Sequence, residues 1–557
     1  MPLMGSFYVG TSGLQTSQNA LNTTAHNLSN IDTIGYTRQQ VLQANKRYNT
    51  VGTAYVSEQQ SGLGVSYAKV RQVRDSFLDK SYRREAGRAS FYDTSYSTVT
   101  ETETLFGEME GVEFQTSLSD LWTSIQELAK DPSNPTNQGL LVSSAASFLE
   151  RAQSVYSGLS SYQDNLNQQI SDQVDSINEY GQKIYELNQQ IVRAEASGSE
   201  EANDLRDSRN QLLDELSAMV PMSYEEDVDG AVSVSIEGVD FVTKTYINKM
   251  GITTDSETGF HTPVWPANED SEVFDLTREI SSDYNTDIGG LKAMLLLRGE
   301  KNGTYQDIPQ KPVATDYATD AEYQAALQQY SEDTTTYNQT TAKSFLQNTM
   351  AEFDQLINGI VTGMNEILNP RTTDTTTGTT TVKGYDLFLR KNIDDVTTEE
   401  DDTQSSTIYT ISNLKINTIL LQQSSLLGCT QDENGNYTSG FMTADGQENK
   451  EMADQLTSLF SDDFASLNPN INTKANFIDY YNNLTGQVAN VGSAYKGYSE
   501  SQSTTVEAIE ASRQQIVGVS DSEELTNMIK FQNAYNASSR YINAVNEMLG
   551  HLIEKLG

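Results

Sequence analysis

The sequence predicts a mainly α-helical protein with β-rich outer domains. Its parts are paired N- and C-terminal coiled-coil helices, a long-helix bundle domain, and inserted β or mixed domains. Two observations carry this prediction: heptad spacing of apolar residues at both ends, and long stretches without proline. Only 10 prolines occur in 557 residues, and segments 3–131, 136–220 and 470–557 contain none. Because proline breaks a helix interior at a cost of about 3 kcal/mol, its absence leaves room for long helices.

Both ends of the chain carry apolar residues at heptad spacing. The N-terminal stripe, repeating every seven positions, is Phe7, Leu14, Leu21 and Leu28. The C-terminal stripe, with polar interruptions upstream, is Met528, Gln532, Tyr535, Ile542, Val545, Leu549 and Leu552. Such spacing is typical of a coiled-coil seam. We predict that the two stripes pack together and that the pair then assembles with neighbouring copies; two helices of an ordinary bundle are the plainer interpretation.

The middle of the chain changes its hydrophobic period from region to region. Over 155–191 the apolar residues are spaced by three or four positions, and this spacing predicts an amphipathic helix. The pattern is interrupted once, near Gly181. A second helix is predicted over 201–220, where a proline follows. Alternation then predicts a β-hairpin over 232–241, and an apolar helix is predicted over 291–297.

These patterns divide the chain into five regions. They are a terminal helical assembly domain (1–50 and 510–557), a helical bundle domain (51–220, 345–370 and 471–509), a β-rich outer domain (221–300), a polar insertion (301–344) and a mixed, partly β outer region (371–470). The insertion is assigned because it is rich in Tyr, Thr and Gln but poor in aliphatic residues.

The charge is large and unevenly distributed. With 36 basic and 77 acidic residues, the net charge is −41. Residues 1–90 carry ten basic and five acidic side chains, a net of +5, whereas 501–557 carry −3 and the middle carries −43. So acidic a chain would repel phosphates, and we expect no nucleic-acid partner. The near-neutral ends suit segments that pack closely against identical copies, and the acidic middle suits an outer, solvated surface.

Composition also argues against catalysis and metal binding. One cysteine, Cys429, and three histidines make a disulfide scaffold or a Cys/His zinc site improbable. The only phosphate-loop hint is a lone Gly62-Leu63-Gly64. No stretch of 18 apolar residues occurs, so we expect no membrane insertion, and no Sec signal peptide follows Met1. We therefore predict no enzyme, no cofactor and no metal.

One short segment near the N-terminus has a recognisable motif. Residues 26–39, HNLSNIDTIGYTRQ, resemble the signature of the bacterial flagellar rod, hook and hook-associated (axial) protein family. The matching positions are Asn27, Asn30, Thr33, Gly35, Tyr36 and Arg38. The segment departs from the pattern at His26, where Asn is usual, and at Ile34, where proline is frequent. Segments 184–209, 212–216, 289–295 and 524–535 are most similar to the hook-associated branch of that family.

The resemblance implies a structural protein of the flagellum that forms the junction between hook and filament. Its expected partners are identical subunits in a ring, the hook protein, the second hook-associated junction protein, and an export chaperone that binds the C-terminal helices. It would leave the cell through the flagellar type III apparatus and lie outside the cell. Two alternatives stay open: another axial protein, such as the second junction protein or a hook-like protein, and an acidic secreted coiled-coil adhesin.

Roles for individual residues follow from this assignment. Asn27, Asn30 and Thr33 are expected to cap or turn the end of the first helix, and Gly35 to let the chain reverse. A set of basic residues is expected to contact acidic neighbours in the ring, with a solvated helix face as the plainer interpretation. The set is Arg38, Lys46, Arg47, Lys69, Arg71, Arg74, Lys80, Arg83, Arg84 and Arg88.

Overall fold

The structure is a computed structural model of the chain. It describes residues 3–46, 48–54, 57–107, 113–197, 201–369, 372–373, 380–381, 384–391, 409–431, 437–443 and 445–556. The helices are α1 (Leu3–Ser29), α2 (Ser76–Gly107), α3 (Phe114–Lys130), α4 (Pro135–Glu195), α5 (Asn203–Met219), α6 (Gly290–Arg298), α7 (Asp320–Gln339), α8 (Phe345–Leu368), α9 (Thr418–Gln422), α10 (Glu451–Ser461), α11 (Phe477–Val517) and α12 (Asp521–Leu556).

The strands form small antiparallel sheets between these helices. They are β1 (Gln39–Asn45), β2 (Asn49–Ala54), β3 (Ser57–Ser61), β4 (Val65–Gln72), β5 (Met222–Glu226), β6 (Val232–Ile236), β7 (Val239–Val242), β8 (Gly251–Thr254), β9 (His261–Trp265), β10 (Ser271–Glu272), β11 (Thr372–Thr373), β12 (Thr380–Thr381), β13 (Phe388–Arg390), β14 (Leu414–Ile416), β15 (Cys429–Gln431) and β16 (Tyr437–Ser439). Two sheets have three strands, in the orders β5-β6-β7 and β10-β9-β8, and the others pair β1 with β4, β2 with β3, β11 with β12, β13 with β14, and β15 with β16.

The helix α4 organises the body of the molecule. It has 61 residues, so it is about 90 Å long at 1.5 Å per residue. Pro135 occupies its first turn, where a missing amide costs nothing, and the Asn134 side chain accepts a hydrogen bond from the Thr136 amide. The first half of α4 faces one hydrophobic core and the second half faces another. We call these the first core and the second core.

The first core packs α3, α8, α10 and the start of α11 against α4. Aromatic rings fill its centre: Phe114 lies 5.0 Å from Phe353 and 4.8 Å from Tyr481, measured between ring centroids. Trp122 of α3 stacks on Phe460 of α10 at 5.5 Å. Edge-to-face and offset ring contacts of this kind stabilise a core beyond simple area burial.

The second core packs α5, α6 and both three-stranded sheets against α4. The predicted hairpin is confirmed as β6 and β7, and Glu237 and Gly238 in its turn both have positive φ, as the favoured two-residue hairpin turn requires. The predicted helices over 201–220 and 291–297 are confirmed as α5 and α6. This core mixes strands of the predicted outer domain 221–300 with α4, α5 and α6.

Three other regions differ from the sequence prediction. Residues 39–72 were assigned partly to the assembly domain and partly to the helical bundle, yet they contain β1 to β4. The polar insertion 301–344 contains α7, whose capping box at Thr319 and Glu322 starts a largely exposed helix. The described parts of 371–470 contribute to the first core instead of standing outside it. Their buried members include Leu387, Phe388, Ile411, Leu414, Leu420, Leu427, Phe441 and Leu456.

Near Gly181, α4 lacks the apolar residue that its spacing of three and four positions predicts, and the reason is steric. Gly181 is buried, and a Cβ atom there would lie 2.4 Å from Cζ of Phe241. The Phe241 ring is itself fully buried and packs beside Trp265. A glycine therefore lets the strand β7 approach the helix at this point.

We predict that Gly181→Ala lowers the free energy of unfolding by about 1–3 kcal/mol, because the new methyl group overpacks the core against Phe241. Gly497→Ala is the matched control, since Gly497 also lies inside a helix but has no atom within 4 Å of a Cβ position. That change should stabilise by up to about 1 kcal/mol through helix propensity alone. Urea denaturation of both variants measures the difference, and equal effects would contradict the steric explanation.

The first core also contains a carboxylate with no charged partner among the described residues. Glu352 is fully buried on α8 and accepts hydrogen bonds from Asn348, Asn468 and Gln487. Burial raises its pKa to about 7 despite these three donors. A carboxyl group whose pKa rises on folding stabilises the native state when protonated, and this contribution is lost as the pH rises through the folded-state pKa.

We predict that the stability of the first core falls as the pH rises from about 5 to about 8, and that Glu352→Gln removes part of this dependence. At pH 8 the free energy of unfolding of Glu352→Gln should exceed that of the parent protein by about 2 kcal/mol, because a neutral amide replaces a desolvated carboxylate. Amide hydrogen exchange in α8 at several pH values provides the measurement. Glu366→Gln, an exposed change on the same helix, is the control and should leave the pH dependence unchanged.

Candidate assembly interface

The terminal helices α1 and α12 lie side by side and run antiparallel. A Cβ atom at Gly10 would lie 2.6 Å from Cγ1 of Ile542, and one at Gly13 would lie 2.8 Å from Oγ of Ser538. Position 10 thus faces 542 and position 13 faces 538, so the chain directions are opposed. Helix backbones approach this closely only where at least one helix presents residues without large side chains.

The face of α1 that meets α12 consists of small residues. It repeats at steps of three and four, the spacing of a heptad. Its members, called here the small-residue stripe, are Gly10, Gly13, Ser17, Ala20, Thr24 and Asn27. All but Gly13 are buried. The stripe therefore forms the inner seam of the terminal pair.

The apolar stripe predicted as that seam lies beside it instead. Phe7 is 36% exposed, and Leu14, Leu21 and Leu28 are half-buried. At 100° per residue these side chains sit on the flank of α1 next to the small-residue stripe. Their packing against Ile542, Val545 and Leu549 stays a prediction, while the closest approach of the two helices is made at Gly10 and Gly13.

The C-terminal stripe agrees better with its predicted position. Val545 is buried, and Met528, Tyr535, Ile542 and Leu549 are half-buried on α12. Gln532 is exposed, and its predicted place is taken by Phe531 and Ser538. Leu552 is 46% exposed, because the antiparallel register carries the last turns of α12 past the start of α1.

A two-stranded ribbon covers another side of α1. Its strands β1 and β4 pair along their length, and both contact the helix. Near the start of α1 the Ser12 hydroxyl accepts a hydrogen bond from the Val65 amide, beside Gly64, which has a φ of 93°. Near the end of α1 the ribbon is held by Asn27. No hydrophobic period in residues 39–72 distinguishes these strands from a helix.

Asn27 is the centre of the signature segment. Its side chain donates to the Gln39 carbonyl at 2.9 Å and accepts from the Gln39 amide at 3.0 Å. The Tyr36 hydroxyl also donates to the side-chain oxygen of Asn27 at 2.8 Å. Burial, with help from Asp204, raises the pKa of Tyr36 well above its usual value. Asn27 was expected to cap α1, but it is 1% exposed and clamps β1 to the helix instead.

The turn that follows α1 uses the other signature residues. Asn30 donates to the His26 carbonyl and accepts from the Thr33 hydroxyl at 3.2 Å, as expected of residues that end a helix. Gly35 has a φ of 79°, which permits the reversal predicted for it. Ile34, at the position where proline is frequent, is 88% exposed.

The end of the signature segment ties the terminal pair to the body. The Thr37 amide donates to Asp207 of α5 at 3.1 Å, and burial raises the pKa of Asp207 to about 6. The Arg38 amide donates to the Val517 carbonyl, and its guanidinium pairs with Glu523 at 2.7 Å. One segment thus connects α1, α5 and the linker between α11 and α12.

Six members of the predicted basic set pair with acidic side chains within the chain, although Lys69 and Arg84 stay about half exposed and so also fit the predicted solvated face. Arg83 is 4% exposed and bonds Asp214 at 2.6 Å, while Arg88 is buried against Asp287 at 3.0 Å. The other intrachain pairs are Lys69–Glu201, Arg74–Asp79 and Arg84–Glu85. Arg83 reaches from α2 to α5, whereas Arg84 pairs within α2 itself. Arg47 lies outside the described residues, and Lys46 and Arg71 are exposed.

Neither a membrane-spanning helix nor a metal site is found in the part of the chain that the structure describes. No helix there is long and apolar enough to cross a bilayer, and no group of His, Cys, Asp and Glu residues there could hold a metal ion.

Comparison with known proteins first defines the class. Residues 7–37 match the family model "Flagella basal body rod protein", and residues 506–554 match "Flagellar basal body rod FlgEFG protein C-terminal". Both segments contribute to the terminal pair, so the chain is a flagellar axial protein. Residues 99–388, just over half of the chain, match "Flagellar hook-associated protein FlgK helical domain". The chain belongs to the flagellar hook-associated protein FlgK family, whose members are structural proteins of the flagellum and not enzymes.

Curated relatives agree along nearly the whole chain. The chain is 25% identical to "Flagellar hook-associated protein 1" of Bacillus subtilis, with 98% of this chain and 96% of the relative covered. It is 22% identical to the Escherichia coli protein of the same name, with 97% and 98% covered. A solved hook junction protein FlgK from Burkholderia pseudomallei shares 13% identity at a TM-score of 0.49, covering 79% of this chain and 100% of that one.

We predict that Asn27→Ala frees β1 from α1 and lowers the free energy of unfolding by about 1–3 kcal/mol, since three hydrogen bonds to a buried side chain are lost. Asn22→Ala, an exposed change on the same helix, is the matched control and should have little effect. Exchange of the Gln39 amide hydrogen, which bonds Asn27 directly, reports the change. An unchanged exchange rate in the Asn27 variant would contradict the clamp.

Proposed function

We propose that this protein forms the junction between hook and filament as a ring of identical subunits held together by their terminal helices. One observation carries the proposal: the terminal pair closes internally through small residues and leaves apolar side chains on its outer surface. Apolar residues in such a position on a soluble chain mark a protein interaction surface. The name shared by the curated relatives, "Flagellar hook-associated protein 1", supports the same role.

The proposed interface has two parts. The first is the flank of α1, formed by Phe7, Leu14, Leu21 and Leu28, which in the ring packs against neighbouring terminal helices. The second is the outer surface of α12, where Ile529, Met548, Leu552 and Ile553 are exposed. The residues Met528, Tyr535, Ile542, Val545 and Leu549 serve mainly to hold α12 on α1. The signature residues, from Asn27 to Arg38, set the angle at which the pair leaves the body.

The neighbours and the route of export follow from this role. In the assembled flagellum the ring contacts the hook protein on one side and the second hook-associated junction protein on the other. Before assembly, an export chaperone covers the exposed apolar surface of the C-terminal helices. The chain then reaches the outside of the cell through the flagellar type III apparatus. The charge balance supports this arrangement, since residues 501–557 have a net charge of only −3.

We predict that Leu21→Asp abolishes assembly without unfolding the subunit. Leu21 is half-buried on the flank of α1, so the monomer tolerates a charge there, whereas a closed interface with another subunit does not. Asn22→Asp adds the same charge at an exposed position one residue further along and should assemble normally. Each variant is expressed in a strain whose own copy of the gene is deleted.

The measurement is the amount of flagellin shed into the medium, together with electron microscopy of hooks. The deletion strain should complete its hooks and shed flagellin, and Leu21→Asp should do the same although the protein remains folded. Loss of the hooks themselves would favour a hook-like axial protein, and intact filaments in the deletion strain would favour an adhesin. Normal filaments with Leu21→Asp would contradict the proposed interface.

A further inference from the structure

A cavity lies where the first core, the second core and α7 meet. It encloses about 300 Å³, within the size range of small-molecule sites. Its walls come from β9, from the segment that follows β10, from the end of α6, and from residues around the start of α8. Apolar side chains form one side: Phe260, Pro263, Phe274, Leu276, Leu295 and Leu296.

The lining also includes a buried cation. Arg298 lines the cavity, is 4% exposed, and lies 4.6 Å above the Phe260 ring. Its Nε donates to the Gly299 carbonyl, and its Nη1 donates to Asn167 and to the His261 carbonyl. No hydrogen bond from Nη2 to any described residue is present, and none of the partners is a carboxylate. Burial lowers the pKa of Arg298 to about 10, because the charge of Glu300 offsets only part of the cost of desolvation.

A helix N-terminus adds to the positive potential. The 24-residue helix α8 begins at Phe345, and both Ser344 and Gln347 line the cavity. Ser344 occupies the cap position but makes no cap bond, and its hydroxyl donates to the Leu297 carbonyl. The first amides of α8 therefore lack the usual side-chain acceptor, and such a terminus attracts an anion.

Acidic residues at the mouth of the cavity limit the negative charge that a bound ligand can carry. Asp255, Glu272 and Glu300 are exposed there, and Lys343 is the one basic lining residue besides Arg298. Glu300 also acts electrostatically on Arg298. Three carboxylates at the entrance repel a multiply charged anion more strongly than a single carboxylate, while the apolar wall favours a hydrocarbon body.

We propose that this cavity binds a monocarboxylate with a small apolar body, its carboxylate held between Arg298 and the start of α8. The carboxylate accepts from Nη2 of Arg298 and from the free amides of α8, and the hydrocarbon packs against Phe260, Phe274 and Leu296. The same chemistry is offered by a free short-chain acid and by an acidic side chain of a neighbouring polypeptide.

The test uses the full-length protein and hexanoate as the probe, followed by calorimetry and by chemical shifts of the Gln347 amide. Saturable binding of hexanoate is expected, with binding of hexanol and of butyl phosphate at least about tenfold weaker, since one lacks the charge and the other carries two. Arg298→Lys should weaken hexanoate binding at least about tenfold, because lysine cannot supply the second guanidinium nitrogen.

Glu300→Gln is the second variant and works in the opposite direction. Its side chain is exposed, so folding is retained, and removal of a like charge at the mouth should tighten hexanoate binding about threefold. If Arg298→Lys fails to fold, the affinity of Glu300→Gln for hexanoate tests the proposal by itself. A free acid is the natural guest if hexanoate still binds in the assembled flagellum, and a neighbouring acidic side chain is the guest if assembly blocks it. No saturable binding, or affinity unchanged in Glu300→Gln, overturns the proposal.

Discussion

A chain of partly buried ion pairs joins α11, which leads into the terminal helix α12, to α2 and α5 of the body, and the placement of the terminal pair depends on it. Arg513 of α11 lies 2.7 Å from Asp214 of α5, which also bonds Arg83 of α2 at 2.6 Å. A second link runs through Asp207, which lies 3.8 Å from Arg74 and accepts from the Thr37 amide. Removal of one partner from a buried pair leaves an uncompensated charge, which costs several kcal/mol. The pairs therefore fix how α2, α5 and α11 meet at the base of the terminal pair.

Sequence periodicity predicted the elements that bury one face against a single core. The hairpin of β6 and β7, the helix α5 and the apolar helix α6 all follow simple periods, and each is present. The long helix α4 was predicted from 155 onward, and the interruption of its apolar spacing at Gly181 proved to be a contact with Phe241. Strands β1 to β4 escaped prediction because they alternate poorly and are largely polar. The helix α7 escaped because it buries little beyond Tyr337 and so carries no apolar stripe.

The terminal pair shows why hydrophobicity alone misplaces a helix seam. Sequence reasoning assigns the largest apolar side chains to the closest contact, as in most coiled coils. Here the closest contact uses Gly10 and Gly13, because two backbones can approach only where side chains are small. The leucines are displaced to the flank of α1, where the single chain covers them only partly. Their seven-residue repeat indicates helix packing, and in the proposed ring the partner of its exposed part is a second subunit.

The distribution of charge restricts the surfaces through which a second subunit can bind. Basic side chains of residues 1–90 are largely used within the chain: Arg74, Arg83 and Arg88 neutralise Asp79, Asp207, Asp214 and Asp287. They are consequently not free to attract the acidic body of a neighbour. Bodies that carry a net charge of −43 repel one another at close range. The terminal pair combines a low net charge with partly exposed apolar side chains, which supports the proposal that subunits associate there. Physical complementarity thus favours association through the helices at the two ends of the chain, with the acidic body held apart from its neighbours.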